Sequence, residues 1–519
     1  MKRLAIDTQS FEDLRNNECV YVDKTEIIYR MITGGRIYFL SRPRRFGKSL
    51  LVSTLETLFQ GRKDLFKGLY IYDKWDWDKK YPVITIDWTR ISHSNPEEVK
   101  ESLVFHLKRI AQSYQITLTA KSVSDCFSEL IETLYNQNGK TKVVILIDEY
   151  DKPVTAHLFD SSLKAFQTQV HDFYQVMKGV DKYLQFVLLT GVSKFSGLSI
   201  FSALNNPRDI TLQEEYVTIC GYTQEELESN FSEHIDSAAE HVNMTREEVL
   251  EQIRYWYNGY TWNGKTAIYN PFSTMNFFNK QEFSNYWFRS GTPTFLMDII
   301  RSRNRVDVVL EPVVADEDIF DGYDPANIGE EPLLFQTGYL TIKKMELIGG
   351  CARYTLGIPN MEVKEALMKH LLSAYSENNV ATIQSMIPKI QSQIYEGKTS
   401  ALEGSLRSLL AHIPNNLHAE NESYYHSLFL FLMATLGFDI QGEILTNIGR
   451  IDAVWRQPGL TVVAEIKYSA EKKIDNLLNA AMRQIRNRKY YEAYLNDTKV
   501  MLMAIAFAGK EIKCKIEKI

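Results

Sequence analysis

The chain has 519 residues, of which 45% are apolar and 24% charged, the balance of a folded globular protein rather than a disordered or fibrous one. Its length suggests roughly three domains at about 100–200 residues each. The net charge of −6 excludes a uniformly basic nucleic-acid coat. Residues 421–519, however, hold 14 basic and 11 acidic side chains, against 45 and 54 in the other 420, so a polyanion would favour the C-terminal end.

The first residues, MKRLAIDTQSFEDL, lack the apolar core of a secretory signal. Arg36–Ser41 reads as a strand. A loop follows, then a helix from about Lys48 to Gln60. This strand–loop–helix frames Ser41-Arg42-Pro43-Arg44-Arg45-Phe46-Gly47-Lys48-Ser49, which fits the second half of a P-loop, G-x-x-x-x-G-K-[ST]. Backbone N–H groups from Arg44 to Ser49, at a helix N-terminus, would receive phosphate oxygens. Lys48 would reach the outer phosphates, and the Ser49 hydroxyl would ligate Mg²⁺. Arg42 stands where the first glycine is expected, and Pro43 stiffens the loop further. Arg44 and Arg45 add positive charge beside the phosphates, and one of them could stabilise charge during transfer.

Val83–Trp88 reads as a second strand, and two helices fill residues 96–138. Lys142–Asp148 is an almost wholly apolar strand that runs into the acids of VVILIDEYD. Asp148 would hold the Mg²⁺ shell, and Glu149 would polarise the attacking water. After a helix over about 161–179, Leu184–Thr190 forms another apolar strand, and its polar tip could sense the γ-phosphate. Alternation of strands and helices implies a parallel sheet covered on both faces.

Several ordered segments carry a resemblance. RPRRFGKS, Tyr21–Thr25 (YVDKT), LIDEYD, Thr190–Ser196 (TGVSKFS), Trp256–Tyr260 (WYNGY) and Tyr269–Ser273 (YNPFS) make the first 290 residues or so resemble a bacterial AAA-ATPase-like family. The resemblance implies ATP binding and hydrolysis. The arginine in place of the first glycine is a habit of that family.

From about Gly221 the pattern becomes mostly helical. Thr223 with Glu226 and Thr245 with Glu248 both fit the capping box. A short β-rich stretch is expected around 331–360 (LLFQTGYLTIK, then YTLGIPN), with helices over 361–412. Ile413–Glu420 is polar and serves as a boundary. A helix is expected over 422–436. Its apolar core, Leu428–Phe438, is too short to span a bilayer, which takes about 20 residues. Strands then follow over 440–445, 449–456 and 461–468, with a helix over 474–494 and a last strand over 499–507.

In this last region Asp452 lies on one strand, and Glu465 and Lys467 lie on the next. Residues i and i+2 of a strand share a face, and a hairpin would bring Asp452 alongside. Two carboxylates on one face repel unless a cation joins them, and oxygen ligands suit Mg²⁺ or Mn²⁺. Asp452 and Glu465 are therefore the expected metal ligands, and Lys467 would orient a water or balance phosphorane charge.

The D…ExK arrangement over about 420–515 resembles the PD-(D/E)XK nuclease superfamily. That resemblance implies two further site residues: Glu422, opening the preceding helix, and Gln484, in the following one. Arg483, Arg486, Arg488 and Lys489 share that helix and would contact phosphates or simply face solvent. The five cysteines are scattered, and the histidines, His171 and His426 among them, show no metal-ligand spacing.

The expected fold class is α/β: a P-loop NTPase parallel sheet over 1–215, a helical lid and middle region with a small β part over 216–412, and a C-terminal α/β restriction-endonuclease-like domain over 420–519. The expected function is an ATP-binding, ATP-hydrolysing protein whose Mg²⁺-dependent domain cleaves nucleic acid, DNA foremost. The alternative is a nucleotide-dependent regulator or scaffold whose C-terminal domain binds nucleic acid without cutting it. A cytoplasmic bacterial protein with no membrane partner is expected. Assembly into a homo-oligomer, with arginines supplied in trans, is left open.

Overall fold

The computed structural model describes all residues except 159, 196–203, 205–206, 288–311, 322–328, 376–379, 411–424, 427–428, 431, 434–437, 447–448, 458, 470–472, 496, 498 and 509–510. The chain divides into two compact units. One comprises residues 1–290 with 313–362, the other 291–312 with 363–519.

The first unit is built on five parallel strands: β1 (Ile37–Ser41), β2 (Val83–Asp87), β3 (Val143–Asp148), β4 (Leu184–Gly191) and β5 (Arg208–Asp209). Their order is β2-β3-β4-β1-β5. All six residues of β3 and all five of β1 are buried, as apolar strands covered on both faces must be. Sequence order and sheet order differ in one decisive way. β4 is inserted between β1 and β3, so its tip lies beside both the glycine–lysine loop and the acids that end β3.

Helices cover the sheet, and their starts have identifiable causes. Asn95 caps Pro96–Ser113 through Glu98 N, and the proline sits where no N–H is needed. Ser122 caps Val123–Gln137 through Asp125 N. Both expected capping boxes are formed, Thr223 with Glu226 and Thr245 with Glu248. Glu226 also reaches beyond its own helix, where both its oxygens accept from the Lys24 ammonium at 2.6 and 2.7 Å.

The stretch 331–360 departs from its expectation. Glu330–Thr337 is a helix, not a strand, closed by Gly338 at φ 91°. Leu333, Leu334 and Phe335 are all buried, and so are the polar Glu330, Gln336 and Thr337, so burial does not follow an apolar period that would betray the helix. The β part is an antiparallel sheet of β6 (Val313–Ala315), which precedes this helix, and β7 (Thr341–Ile348) and β8 (Cys351–Gly357), which follow it, in the order β6-β8-β7.

The second unit carries another five-stranded sheet: β9 (Asp439–Thr446), β10 (Gly449–Gln457), β11 (Leu460–Tyr468), β12 (Val500–Ala508) and β13 (Glu511–Lys518), in the order β13-β12-β11-β10-β9. Only the β11–β12 pair is parallel. The helix Ile474–Asn487 connects that pair and presses Ala481, Met482 and Ile485 onto Ile451, Val454, Val463 and Leu502. It ends earlier than the expected residue 494, because Lys489 takes a left-handed φ of 51°. β13 has no counterpart among the expected strands.

Candidate functional sites

The loop Arg42–Gly47 leaves β1 and enters the helix Lys48–Phe59 through Gly47 at φ 95°. Nothing lies within 4 Å of the place a Cβ would occupy at Gly47, so the helix N-terminus is unobstructed where phosphate oxygens would be received. The buried Lys48 ammonium bonds the carbonyl oxygens of Arg42 at 3.0 Å and Pro43 at 3.1 Å. The Ser49 side chain lies beside the Asp148 carboxylate, which accepts Thr190 Oγ1 at 2.6 Å. Burial holds the Asp148 carboxyl above its ordinary pKa against these hydroxyls. Lys48, Ser49, Asp148 and the tip of β4 therefore converge. Glu149 follows at φ 53°, a left-handed conformation for a non-glycine residue, and is half-buried.

Two other side chains of the loop, Arg42 and Phe46, are buried. Arg42 is 0% exposed; its guanidinium donates to Ser41 O and Thr211 O at 2.8 Å and lies 4.0 Å over the Trp262 ring. Burial lowers its pKa to about 10, which still leaves it charged at neutral pH. Phe46 is buried edge-on against Tyr260 and Trp262, so any contact it makes with nucleotide is through its backbone. Arg45 is exposed over the Phe272 ring, and Arg44 accepts the Trp287 indole N–H on its carbonyl at 3.0 Å. The loop is thus gripped by aromatic residues from far downstream. Phe46→Ala should cost about 3–5 kcal/mol of stability, read as a lower denaturant midpoint for the first unit.

The second site forms where the β10–β11 hairpin opens. Backbone pairing runs as far as Ala453↔Ala464. One step further, Ile466 N donates to Asp452 Oδ2 at 2.8 Å instead of to a carbonyl. This places Asp452 beside Glu465, which is 0% exposed. Lys467 Nζ forms an ion pair with Glu465 Oε1 at 2.8 Å, yet neither Glu465 oxygen has a hydrogen-bond partner of good geometry. Burial first, and then the Asp452 charge, push the Glu465 carboxyl up to about 7. A buried carboxylate without a well-aligned hydrogen bond, beside a half-buried second carboxylate, fits a hard divalent cation. Asp452, Glu465 and Lys467 are therefore together. Glu422 lies outside the described residues. Gln484 is half-buried on the packed helix, and none of its hydrogen bonds among the described residues reaches the carboxylates.

Two neighbours of this site went unread in the sequence. His426 is buried and places Nε2 2.9 Å from Asp452 O, fixing the strand at the site. Its position four residues beyond Glu422 in the sequence was the available signal. Tyr425 stacks on Tyr468 at 4.5 Å, covering the residue next to Lys467. Of the basic residues expected on this helix, Arg486 pairs with Glu517, Arg483 is exposed, and Lys489, just past its end, pairs with Glu492.

The Glu465 carboxyl makes stability depend on pH in a definite direction. Its folded pKa, about 7, lies above the ordinary value of 4.5, so between these values the folded chain holds a proton the unfolded chain has lost. The stabilisation is complete below about 4.5 and is lost as pH rises through about 7. A cation competes with that proton. Mg²⁺ or Mn²⁺ should therefore raise the calorimetric midpoint of the second unit more at about pH 8 than at about pH 5.5, and Glu465→Gln should abolish the difference.

A parallel sheet with a lysine-bearing loop on one strand and acids on another is the architecture of a P-loop ATPase. A strand pair presenting Asp, Glu and Lys beside a packed helix is that of a restriction-endonuclease-like domain. Residues 5–201 match a family described as predicted AAA-ATPase, and residues 420–517 match the PD-(D/E)XK nuclease superfamily. The chain is 36% identical over 502 residues to the "Uncharacterized protein in vnfD 5'region" of Azotobacter chroococcum mcd 1, covering 95% of this chain and 94% of that protein. It belongs to the same family as that protein, with an AAA-ATPase-like domain followed by a PD-(D/E)XK domain. Among solved structures, the Aeropyrum pernix ORC2 protein (ADPNP-ADP complexes) aligns over 73% of this chain and 96% of its own, at 11% identity and a TM-score of 0.26, too low to support an argument. Among the described residues no helix is long and apolar enough to cross a membrane.

Proposed function

We propose that this protein binds and hydrolyses ATP at the first site and cleaves phosphodiester bonds of nucleic acid, DNA foremost, at the second. The observation that carries the nuclease reading is the buried Glu465 carboxylate, ion-paired to Lys467 at one oxygen and without a well-aligned hydrogen bond at either, beside Asp452. When bound, Mg²⁺ or Mn²⁺ supplies Lewis acidity and lowers the pKa of a water. Asp452 Oδ2 already accepts Ile466 N, which leaves Oδ1 as the oxygen it can offer a metal. Glu465 offers two oxygens in a dry setting. Lys467 brings positive charge to the phosphate oxygens that gain charge as the bond breaks. The basic excess of residues 421–519 favours a polyanionic substrate.

At the first site, Lys48 and the helix N-terminus would hold the outer phosphates. Ser49 and Asp148 would hold the Mg²⁺ that accompanies ATP, and Glu149 would take the water's proton or orient it. The test is a cleavage assay on supercoiled plasmid, linear duplex, single-stranded DNA and RNA, with and without Mg²⁺ and ATP. Metal-dependent nicking supports the reading.

In a second reading the C-terminal domain holds nucleic acid without cutting it. Retention of nucleic acid in Mg²⁺ without any nicking would establish binding alone.

A further inference from the structure

We infer that Asp151 is a positioning residue for ATP hydrolysis, acting through the tip of β4 to hold Glu149 in place. This inference rests on the ATPase reading above. Three of the four residues in Asp148-Glu149-Tyr150-Asp151 are tied to the strand tip. Asp148 accepts Thr190 Oγ1 at 2.6 Å. Tyr150 N donates to Thr190 O at 3.0 Å, and its hydroxyl donates to Ser193 O at 2.7 Å. Asp151 is 1% exposed, and its Oδ2 accepts Val192 N at 3.2 Å and Ser193 N at 2.8 Å.

Glu149 is the exception. Its side chain has no hydrogen bond among the described residues, and its backbone is the strained one, at φ 53°. A non-glycine residue stays left-handed only where its surroundings over-determine it. Here the anchors stand on both sides of it. The contact is close: a Cβ at Gly191 would come within 2.7 Å of Asp151 Oδ1 and 2.5 Å of the Tyr150 ring.

The same tip is also fastened to the phosphate loop. Arg42 N donates to Gly191 O at 3.1 Å, and the Ser41 hydroxyl donates to Val192 O. The tip is therefore a wedge between the loop that would hold phosphate and the turn that would hold water. Asp151 fixes the wedge to the turn. Its carboxylate need not touch nucleotide to do so. What it supplies is an oxygen that two adjacent N–H groups can share.

The experiment compares wild type, Asp151→Ala and Asp151→Asn for steady-state ATP hydrolysis and for affinity toward a fluorescent ATP analogue. Loss of the shared acceptor frees the turn, and a small displacement of a reacting group can cost about 10²-fold in rate. Asp151→Ala should therefore lower kcat by about that factor with nucleotide affinity within twofold of wild type. Asp151→Asn keeps an amide oxygen that can accept both N–H groups, so it should recover most of the rate. Wild-type kcat in Asp151→Ala overturns the inference while leaving the ATPase reading intact. So does an equal loss in both variants, which would assign the effect to the charge, and so does a joint loss of nucleotide binding, which would assign it to folding. A wild-type protein that never hydrolyses ATP overturns both readings.

Discussion

Glu465→Gln is expected to abolish metal-dependent cleavage, by about 10²–10³-fold or more, the scale on which removal of one preorganised charge stabiliser acts. The substitution keeps shape and volume and removes a carboxylate whose charge burial and the neighbouring Asp452 already disfavour. Stability should hold or rise at about pH 8 while activity disappears, and calorimetry beside a plasmid-nicking assay reads both. Lys467→Ala should be equally inactive but less stable, because it strips Glu465 of its counter-charge at 2.8 Å. Breaking a buried ion pair costs about 3–5 kcal/mol at most, and the partly exposed ammonium places this one toward the low end. A double variant that cuts as well as wild type removes the nuclease reading.

The second large effect belongs to the phosphate loop. Lys48→Ala should lose nucleotide binding and turnover together, because no other ammonium among the described residues bonds the loop carbonyls as Lys48 does. Glu149→Gln should separate the two. Nucleotide should still bind, with Lys48, Ser49 and Asp148 in place, while turnover falls by about 10²–10⁴-fold for want of the group that handles the water. Equilibrium binding of a fluorescent nucleotide and steady-state phosphate release distinguish the variants. Unchanged turnover in both would end the ATPase assignment.

The central strands and both sites were legible because their signals are local. Val143–Asp148 is apolar at every position before the acids that end it, and Glu465 and Lys467 are two apart on a strand. What escaped depended on partners distant in sequence. Nothing near Asp151 says that Val192 and Ser193 will lie over it, since that follows from β4 entering the sheet between β1 and β3. Arg42 reads as a defect in a glycine loop. Its stacking on Trp262, far downstream, shows it to be a fastening. β13 (EIKCKIEK) is hard to read because an edge strand that alternates Lys and Glu with its buried Ile512 and Cys514 carries a weak apolar signal. Glu330–Thr337 failed for another reason: polar and apolar residues alike are buried there, so no amphipathic period marks the helix.

Two of the seven tryptophans in the chain are fastened to the Arg42–Gly47 loop: the Trp262 ring under a guanidinium at 4.0 Å, and Trp287 through its indole N–H to Arg44 O at 3.0 Å. Indole emission responds to nearby charge and to hydrogen bonding. A phosphate chain entering the loop would alter both at once, so the unlabelled protein carries a built-in optical gauge of occupancy. Its ultraviolet fluorescence should track nucleotide titration, and replacing either ring with Phe should remove that tryptophan's share of the signal.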